Sequence, residues 1–394
     1  MLPEPALSFT IPSLHDGTVL DCRVYHPASL AAANPRAPPW KRHAAVVAHP
    51  YAPMGGCYDD PTLDSVAAAL LRTGYLVATF NFRGAGHSAG RTSWTARPER
   101  DDYASVVGFT VHYVHFLDPF NDEASKQSPV LLMGGYSYGA MVTAQMPPLD
   151  QLLEPFARPH ADSHAAQVRL RAQHLAEQQN LILGSARSAV LQVRGPHATI
   201  GRAGAVRVGG DEGDRSPRKS HDSLGRRSFS LDAEDRFRRG VYLMARARAR
   251  RSASSDGGNE PRPPQDKQDE RGETLPAVTG LLRPRPAYLL VSPLQGLVTH
   301  LATMSLLPSR LRRRHDDAEE KKLTENATLA VFGDNDVFVP VGRLRAWVAR
   351  LAGQGSLFAA REVASAGHFW GEDGVLDLMT ESVEAFAAGL IRDT

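Results

Sequence analysis

Residues 129–146 read PVLLMGGYSYGAMVTAQM. PVLLMGG is a continuous apolar run of strand length, as expected for a strand buried on both faces. It enters Gly135-Tyr136-Ser137-Tyr138-Gly139, and YGAMVTAQM reads as a short helix that stops at Pro147-Pro148, where two amide donors are missing. A serine on so sharp a strand-to-helix turn needs flanking positions without Cβ atoms, because side chains there would collide with the two elements that meet. Gly135 and Gly139 meet that need, and Ser137 becomes a candidate nucleophile. The same turn aims the amide of Tyr138 and the helix N-terminus at a carbonyl oxygen on which negative charge would develop, so Tyr138 is a candidate oxyanion donor.

Upstream, AAVVAHP from residue 44 reads as a buried strand. A helix follows, opening at Asp60-Pro61, carrying Leu63, Val66 and Leu70 on one face and closing at Gly74. LVATFNF (76–82) reads as the next strand and YASVVGFTVHYVHFL as the next helix. Together with 129–137 they form a βαβαβ series, which predicts an α/β fold with a mostly parallel central sheet and helices on both faces. The site is then expected beyond the carboxyl ends of the strands. At the start of the chain, SFTIPS and LDCRVYHP flank Asp16-Gly17, a hairpin signal that predicts antiparallel N-terminal strands.

A serine hydroxyl needs a base to take its proton and a carboxylate to hold that base in the right tautomer. After the nucleophile the chain offers PAYLLVSPL as a strand, GLVTHLATMSLLP as a helix, and then strand TLAVFGD. A helix with Leu344, Trp347 and Leu351 on one face precedes the last strand, SLFAAREV, and a terminal helix with a stripe of Leu376, Met379, Val383, Phe386 and Leu390 ends the chain. GDNDVFVP (333–340) leaves the penultimate strand and GHFW (367–370) the last one, so acid and base follow the serine in chain order. Asp334 and Asp336 compete for the acid, either being able to serve as a turn-forming residue; Asp336 is preferred. His368 is the base expected among fifteen histidines, since it alone follows the last strand beside a glycine. The second oxyanion donor is expected in HPYAPMGG, where Pro50 and Pro53 carry no amide hydrogen and Tyr51 is preferred to Ala52. His49 is read as a brace of that loop, Arg83 and the glycines of NFRGAGHS as structural, and His87 as non-catalytic.

A net charge of +2 over 394 residues gives no reason to expect nucleic acid as a partner. Two cysteines, Cys22 and Cys57, suit a reducing compartment. With neither a signal-peptide pattern nor a bilayer-length apolar run, the chain is expected to be cytoplasmic. No cofactor and no metal are expected. The domain reading is a hydrolytic core in two pieces, 1–150 and 276–394, separated by candidate lid helices over 151–193 and a low-complexity insertion over 194–275. In AAQVRLRAQHLAEQQN, Val168, Ala172 and Leu175 stand at helical spacing. The insertion is rich in Arg, Ser, Asp, Gly and Pro, and has too little apolar surface to offset a backbone ordering cost of roughly 1 to 2 kcal/mol per residue. It reads as disordered, removable without loss of the fold, and a candidate contact for a protein partner. FRRGVYLMARARARR (237–251) is either a solvated charged loop or a basic amphipathic helix. Ser230 and Ser254, each three residues after an arginine, are candidate phosphorylation sites.

Taken in order, HPYAPMGG, NFRGAGHS, GYSYG, GDNDVFVP and GHFW resemble the α/β-hydrolase superfamily over roughly 44–150 and 286–394. The pairing of the first two is similar to a branch of small intracellular hydrolases of bacteria and fungi. That resemblance implies Ser137, Asp336 and His368 as nucleophile, acid and base, with Tyr138 and Tyr51 as oxyanion donors. Ala52, Pro53 and the long insertion depart from the compact branch. The function expected is hydrolysis of an ester, thioester or amide through an acyl-enzyme, on a small or hydrophobic acyl substrate. An acyltransferase or peptidase using the same residues, and a non-catalytic binding protein on the same fold, are the competing readings.

Overall fold

The structure, a computed structural model, describes residues 1–34, 37–120, 128–193, 273–295, 320–355 and 357–392. The segment 237–251, read as a charged loop or a basic amphipathic helix, the expected helix GLVTHLATMSLLP, most of the 194–275 insertion, and Ser230 and Ser254 lie outside the described residues.

Among the described residues eight strands form one sheet in the order β1-β2-β4-β3-β5-β6-β7-β8. They are β1 (Leu7–Pro12), β2 (Val19–Tyr25), β3 (Ala44–Ala48), β4 (Leu76–Phe80), β5 (Val130–Tyr136), β6 (Arg285–Val291), β7 (Thr328–Gly333) and β8 (Phe358–Val363). β1 and β2 form the expected antiparallel hairpin, β2 joins β4 antiparallel, and every pairing from β4 to β8 is parallel. Period-two alternation divides the core. Ala44, Val46 and Ala48 of β3 face one apolar cluster, and Ala45 and Val47 face the other.

Helices cover both faces because each parallel crossover returns the chain through one. On one face lie α1 (Pro61–Arg72) and the C-terminal helix (Val375–Arg392). The Asp60 carboxylate caps α1 by accepting from the amides of Thr62 at 2.9 Å and Leu63 at 3.0 Å. The C-terminal helix buries Val375, Met379, Val383, Ala387 and Leu390 at successive helical spacing, with Leu376 and Phe386 half-buried beside them. Full burial of each aliphatic side chain stabilises the fold by about 1.5–3 kcal/mol. The opposite face carries α2 (Arg97–Phe116), α3 (Tyr138–Gln145), α4 (Leu149–Ala157), α5 (His164–Val193) and α6 (Val341–Ala352); the C-terminal helix is then α7.

α2 begins at Arg97, six residues before the apolar periodicity at Tyr103. Pro98 and Glu99 in its first turn are favoured there for their geometry and charge and contribute no apolar stripe to read. α4 and α5, expected as lid helices, pack on the flank of the sheet: α5 lies along α2 and β1, burying Ala165, Val168, Ala172 and Ala176. Residues 273–275 already belong to the body. The Ala161 amide donates to the Glu273 carbonyl at 2.8 Å and the Leu275 amide to Pro159 at 2.9 Å, so the core resumes slightly before 276. Cys22 and Cys57 are free thiols.

Candidate active site

Parallel strands put their carboxyl ends along one rim, and each sequence-predicted site residue stands just beyond such an end. Ser137 follows β5, Asp336 follows β7, His368 follows β8 and Tyr51 follows β3. Ser137 holds φ 57° and ψ −112°, a left-handed conformation rarely tolerated by a side-chain-bearing residue. The packing that imposes it is visible at the two glycines. A Cβ on Gly135 would come 2.3 Å from the Gly139 carbonyl carbon, and one on Gly139 would come 2.3 Å from the Ala48 carbonyl oxygen. The Ser137 amide continues the sheet by donating to Val291 at 2.8 Å.

The three side chains meet in one hydrogen-bonded path. Ser137 Oγ lies 2.8 Å from His368 Nε2, and His368 Nδ1 lies 2.7 Å from Asp336 Oδ2. Ser137 and His368 are buried, and the Asp336 carboxylate is inaccessible to solvent. Burial pushes the Asp336 carboxyl up, but the hydrogen bond and electrostatic attraction of His368 and the amides of Val339 and Phe338 outweigh it and hold the group below its ordinary value. An ionised carboxylate can only accept, so Nδ1 carries the imidazole proton and Nε2 is left to accept the Ser137 hydroxyl proton. Of the two aspartates weighed, Asp336 meets the imidazole, while Asp334 Oδ1 accepts from the Ser365 amide at 2.7 Å.

Other contacts hold these groups, and the sequence reading did not identify them. The buried Tyr136 hydroxyl donates to the His368 carbonyl at 2.9 Å, tying the His368 loop to the strand that leads into Ser137. Phe338 and Phe369 stand edge-on to the imidazole with centroids at 4.7 and 5.5 Å. Trp370 Nε1 donates to Ser292 Oγ at 3.1 Å, anchoring the far side of the same loop beside β6. The variable position of a G-x-S-x-G motif and the residues flanking Asp and His carry no pattern from which such contacts follow.

Tyr51 caps a short 3-10 turn, Ala52–Met54, and its carbonyl accepts from the amides of Met54 and Gly56 at 3.1 and 3.2 Å. Its ring lies 5.1 Å from that of Tyr138, which brings the two expected oxyanion residues together. His49 is wholly buried under this loop, where Nε2 accepts from the Phe82 amide at 2.9 Å and Nδ1 donates to the Pro50 carbonyl. Burial lowers its pKa to about 4 despite the Pro50 contact, so the ring stays neutral and links the loop to the NFRG turn. Arg83 in that turn is also buried, bridging Asp102 at 2.7 Å and Asp16 at 3.0 Å, while His87 is exposed. Among the described residues no group of three or more His, Cys, Asp or Glu side chains could hold a metal ion, and no helix is long and apolar enough to cross a membrane.

The sequence model of the X-Pro dipeptidyl-peptidase (S15) family, itself within the α/β-hydrolase clan, matches residues 16–180, which include the Ser137 turn. No curated protein matches the chain. Solved structures similar to it include an alpha-beta serine hydrolase homologue from Coxiella burnetii, 14% identical, covering 98% of this chain and 99% of that one at a TM-score of 0.44. XC6422 from Xanthomonas campestris, described as an a/b serine hydrolase without lid, is 15% identical over 98% and 95% at 0.44. The esterase Pf2001 from Pyrococcus furiosus is 10% identical over 98% and 92% at 0.43. With a parallel sheet led by an antiparallel hairpin, a serine on the sharp turn after β5 and a match to a family model of the α/β-hydrolase clan spanning that turn, the chain has the α/β-hydrolase fold.

Proposed function

We propose that the protein is a serine hydrolase that cleaves an ester, thioester or amide through an acyl-enzyme. The unbroken path from Ser137 Oγ to His368 Nε2 and from His368 Nδ1 to Asp336 is the observation that carries this reading. Ser137 attacks the substrate carbonyl as its proton passes to His368, and Asp336 stabilises the imidazolium that forms. The amides of Tyr138 and Tyr51 donate to the oxyanion. Collapse of the tetrahedral species expels the leaving group with the proton from His368. Water then repeats the sequence on the acyl-enzyme, releasing the acid and regenerating the serine. Val337 and Phe369 stand exposed next to Asp336 and His368, as does Met54 on the oxyanion loop, and they favour a small or hydrophobic acyl group.

The match to the X-Pro dipeptidyl-peptidase family model favours a second reading, in which the same serine cleaves a peptide bond after proline. A panel of acyl esters of graded chain length and an X-Pro anilide, each run against wild type and Ser137→Ala, separates the two. Ester turnover that disappears in the variant supports the first, and preferential cleavage of the anilide supports the second. Turnover unchanged in Ser137→Ala overturns both.

A further inference from the structure

Beside the oxyanion loop lies a cleft of about 330 Å³ that the acyl-transfer steps leave unassigned. Tyr51 and Pro53 form part of its lining, and Gly84, Arg91, Thr92 and Trp94 come from the loop that follows the NFRG turn. These walls are held in place by packing. Gly84 sits at φ +76°, and a Cβ there would come 2.8 Å from the Thr92 nitrogen and 2.9 Å from Arg91 Cα, so only glycine lets the 91–92 backbone lie so close. Beyond Thr92, both the amide and the hydroxyl of Ser93 bond to the fully buried carboxylate of Glu99 at the start of α2. The turn that brings Tyr51 and Pro53 to the lining is closed by the Tyr51 carbonyl.

The chemistry of the lining is specific. Trp94 is 62% exposed, and with the half-buried Tyr51 it offers two aromatic side chains in one cleft. Arg91 is exposed, has no ion pair among the described residues, and shares the cleft with no acidic side chain. A planar guanidinium beside aromatic rings suits an arene bearing a carboxylate, which it can meet with paired hydrogen bonds. The cleft also adjoins the site, since Tyr51 packs on Tyr138, the residue after Ser137. We propose that this cleft binds an aromatic carboxylate portion of the substrate, which makes the preferred substrate an anionic aryl ester or amide. This rests on the serine-hydrolase reading for its place in catalysis, though not for binding.

Calorimetric titration of the full-length protein with 4-hydroxybenzoate and with its neutral counterpart 4-hydroxybenzamide tests it without turnover. The acid is expected to bind about fivefold more tightly, the scale of one exposed but bidentate ion pair. Arg91→Ala removes that preference, and Trp94→Ala weakens both ligands. In kinetics, kcat/KM for 4-carboxyphenyl butanoate falls about fivefold in Arg91→Ala while that for 4-carbamoylphenyl butanoate stays within twofold. Equal affinity for acid and amide, no binding of either, or a preference that survives Arg91→Ala overturns the proposal. Failure of a serine-directed probe to label Ser137 would refute the hydrolase reading and leave the titration standing. A labelled Ser137 with no Arg91-dependent preference would refute the cleft assignment alone.

Discussion

Replacing Asp336 by Asn removes one charge while keeping the side chain's shape, and the hydrogen bonds around it dictate the outcome. Oδ1 accepts from the amides of Phe338 at 2.8 Å and Val339 at 3.0 Å, so this corner of the site requires an acceptor. The asparagine oxygen takes that place and turns its NH2 group toward His368 Nδ1. Two donors cannot face each other, so the imidazole proton moves to Nε2, where it faces Ser137 and can no longer accept the hydroxyl proton. Loss of the correct tautomer in comparable Ser-His-Asp sites costs about 10⁴-fold in kcat. An independent estimate agrees: a carboxylate about 3 Å from an imidazolium at an effective dielectric of about 20 contributes about 5 kcal/mol, and about 1.4 kcal/mol corresponds to each tenfold in rate. The carboxylate is inaccessible to solvent, so screening does little to reduce this. The assay is kcat on a short acyl ester, with circular dichroism to establish that the variant is folded and Asp334→Asn as the control. A fall of less than about tenfold in folded Asp336→Asn, or a larger fall in Asp334→Asn, would refute the reasoning.

Gly139→Ala places a methyl group 2.3 Å from the Ala48 carbonyl oxygen and 2.7 Å from that of His49, both backbone atoms. The expected cost is about 1–3 kcal/mol in urea denaturation, together with a lower kcat as the oxyanion loop is displaced; unchanged stability and rate would contradict this packing. Burial holds His43, His49 and His112 at about 4, well below the unfolded value near 6.5. Unfolding therefore takes up protons in acid, and stability, complete above about pH 6.5, declines as pH falls toward about 4. The loss is about 3 kcal/mol for each ring. Melting temperature followed from pH 7 to pH 4 reads this, and a flat profile over that interval would show that the rings are not buried in neutral form.

How much of this was legible beforehand depended on whether a feature is local and periodic. Strand and helix order from β3 to β5 followed from apolar runs and from caps such as Asp60-Pro61, and the hairpin from Asp16-Gly17. Asp336 and His368 could be singled out because each follows a predicted strand, and the structure brings both side chains to Ser137 in one hydrogen-bonded path. The choice of Asp336 over Asp334 could be made only as a preference, since both occupy one turn and the partners that distinguish them, His368 and Ser365, are about thirty residues away. Tyr136, Phe338 and Trp370 escaped notice because their bonds and ring contacts join different strand ends. The start of α2 was missed for another reason: Glu99 and Asp102 add nothing to an apolar stripe, yet both are buried, satisfied by Ser93 and Arg83. The packing of α5 on α2 likewise depends on tertiary contacts that helical spacing alone does not identify.

The proposed reaction requires Ser137 to be an activated nucleophile. Reaction of the full-length protein with a fluorophosphonate, followed by peptide mass spectrometry, tests it directly. One adduct is expected, on the peptide containing Ser137, absent in Ser137→Ala and strongly slowed in His368→Ala. A folded wild-type protein that remains unmodified, or carries the adduct on another residue, would contradict it.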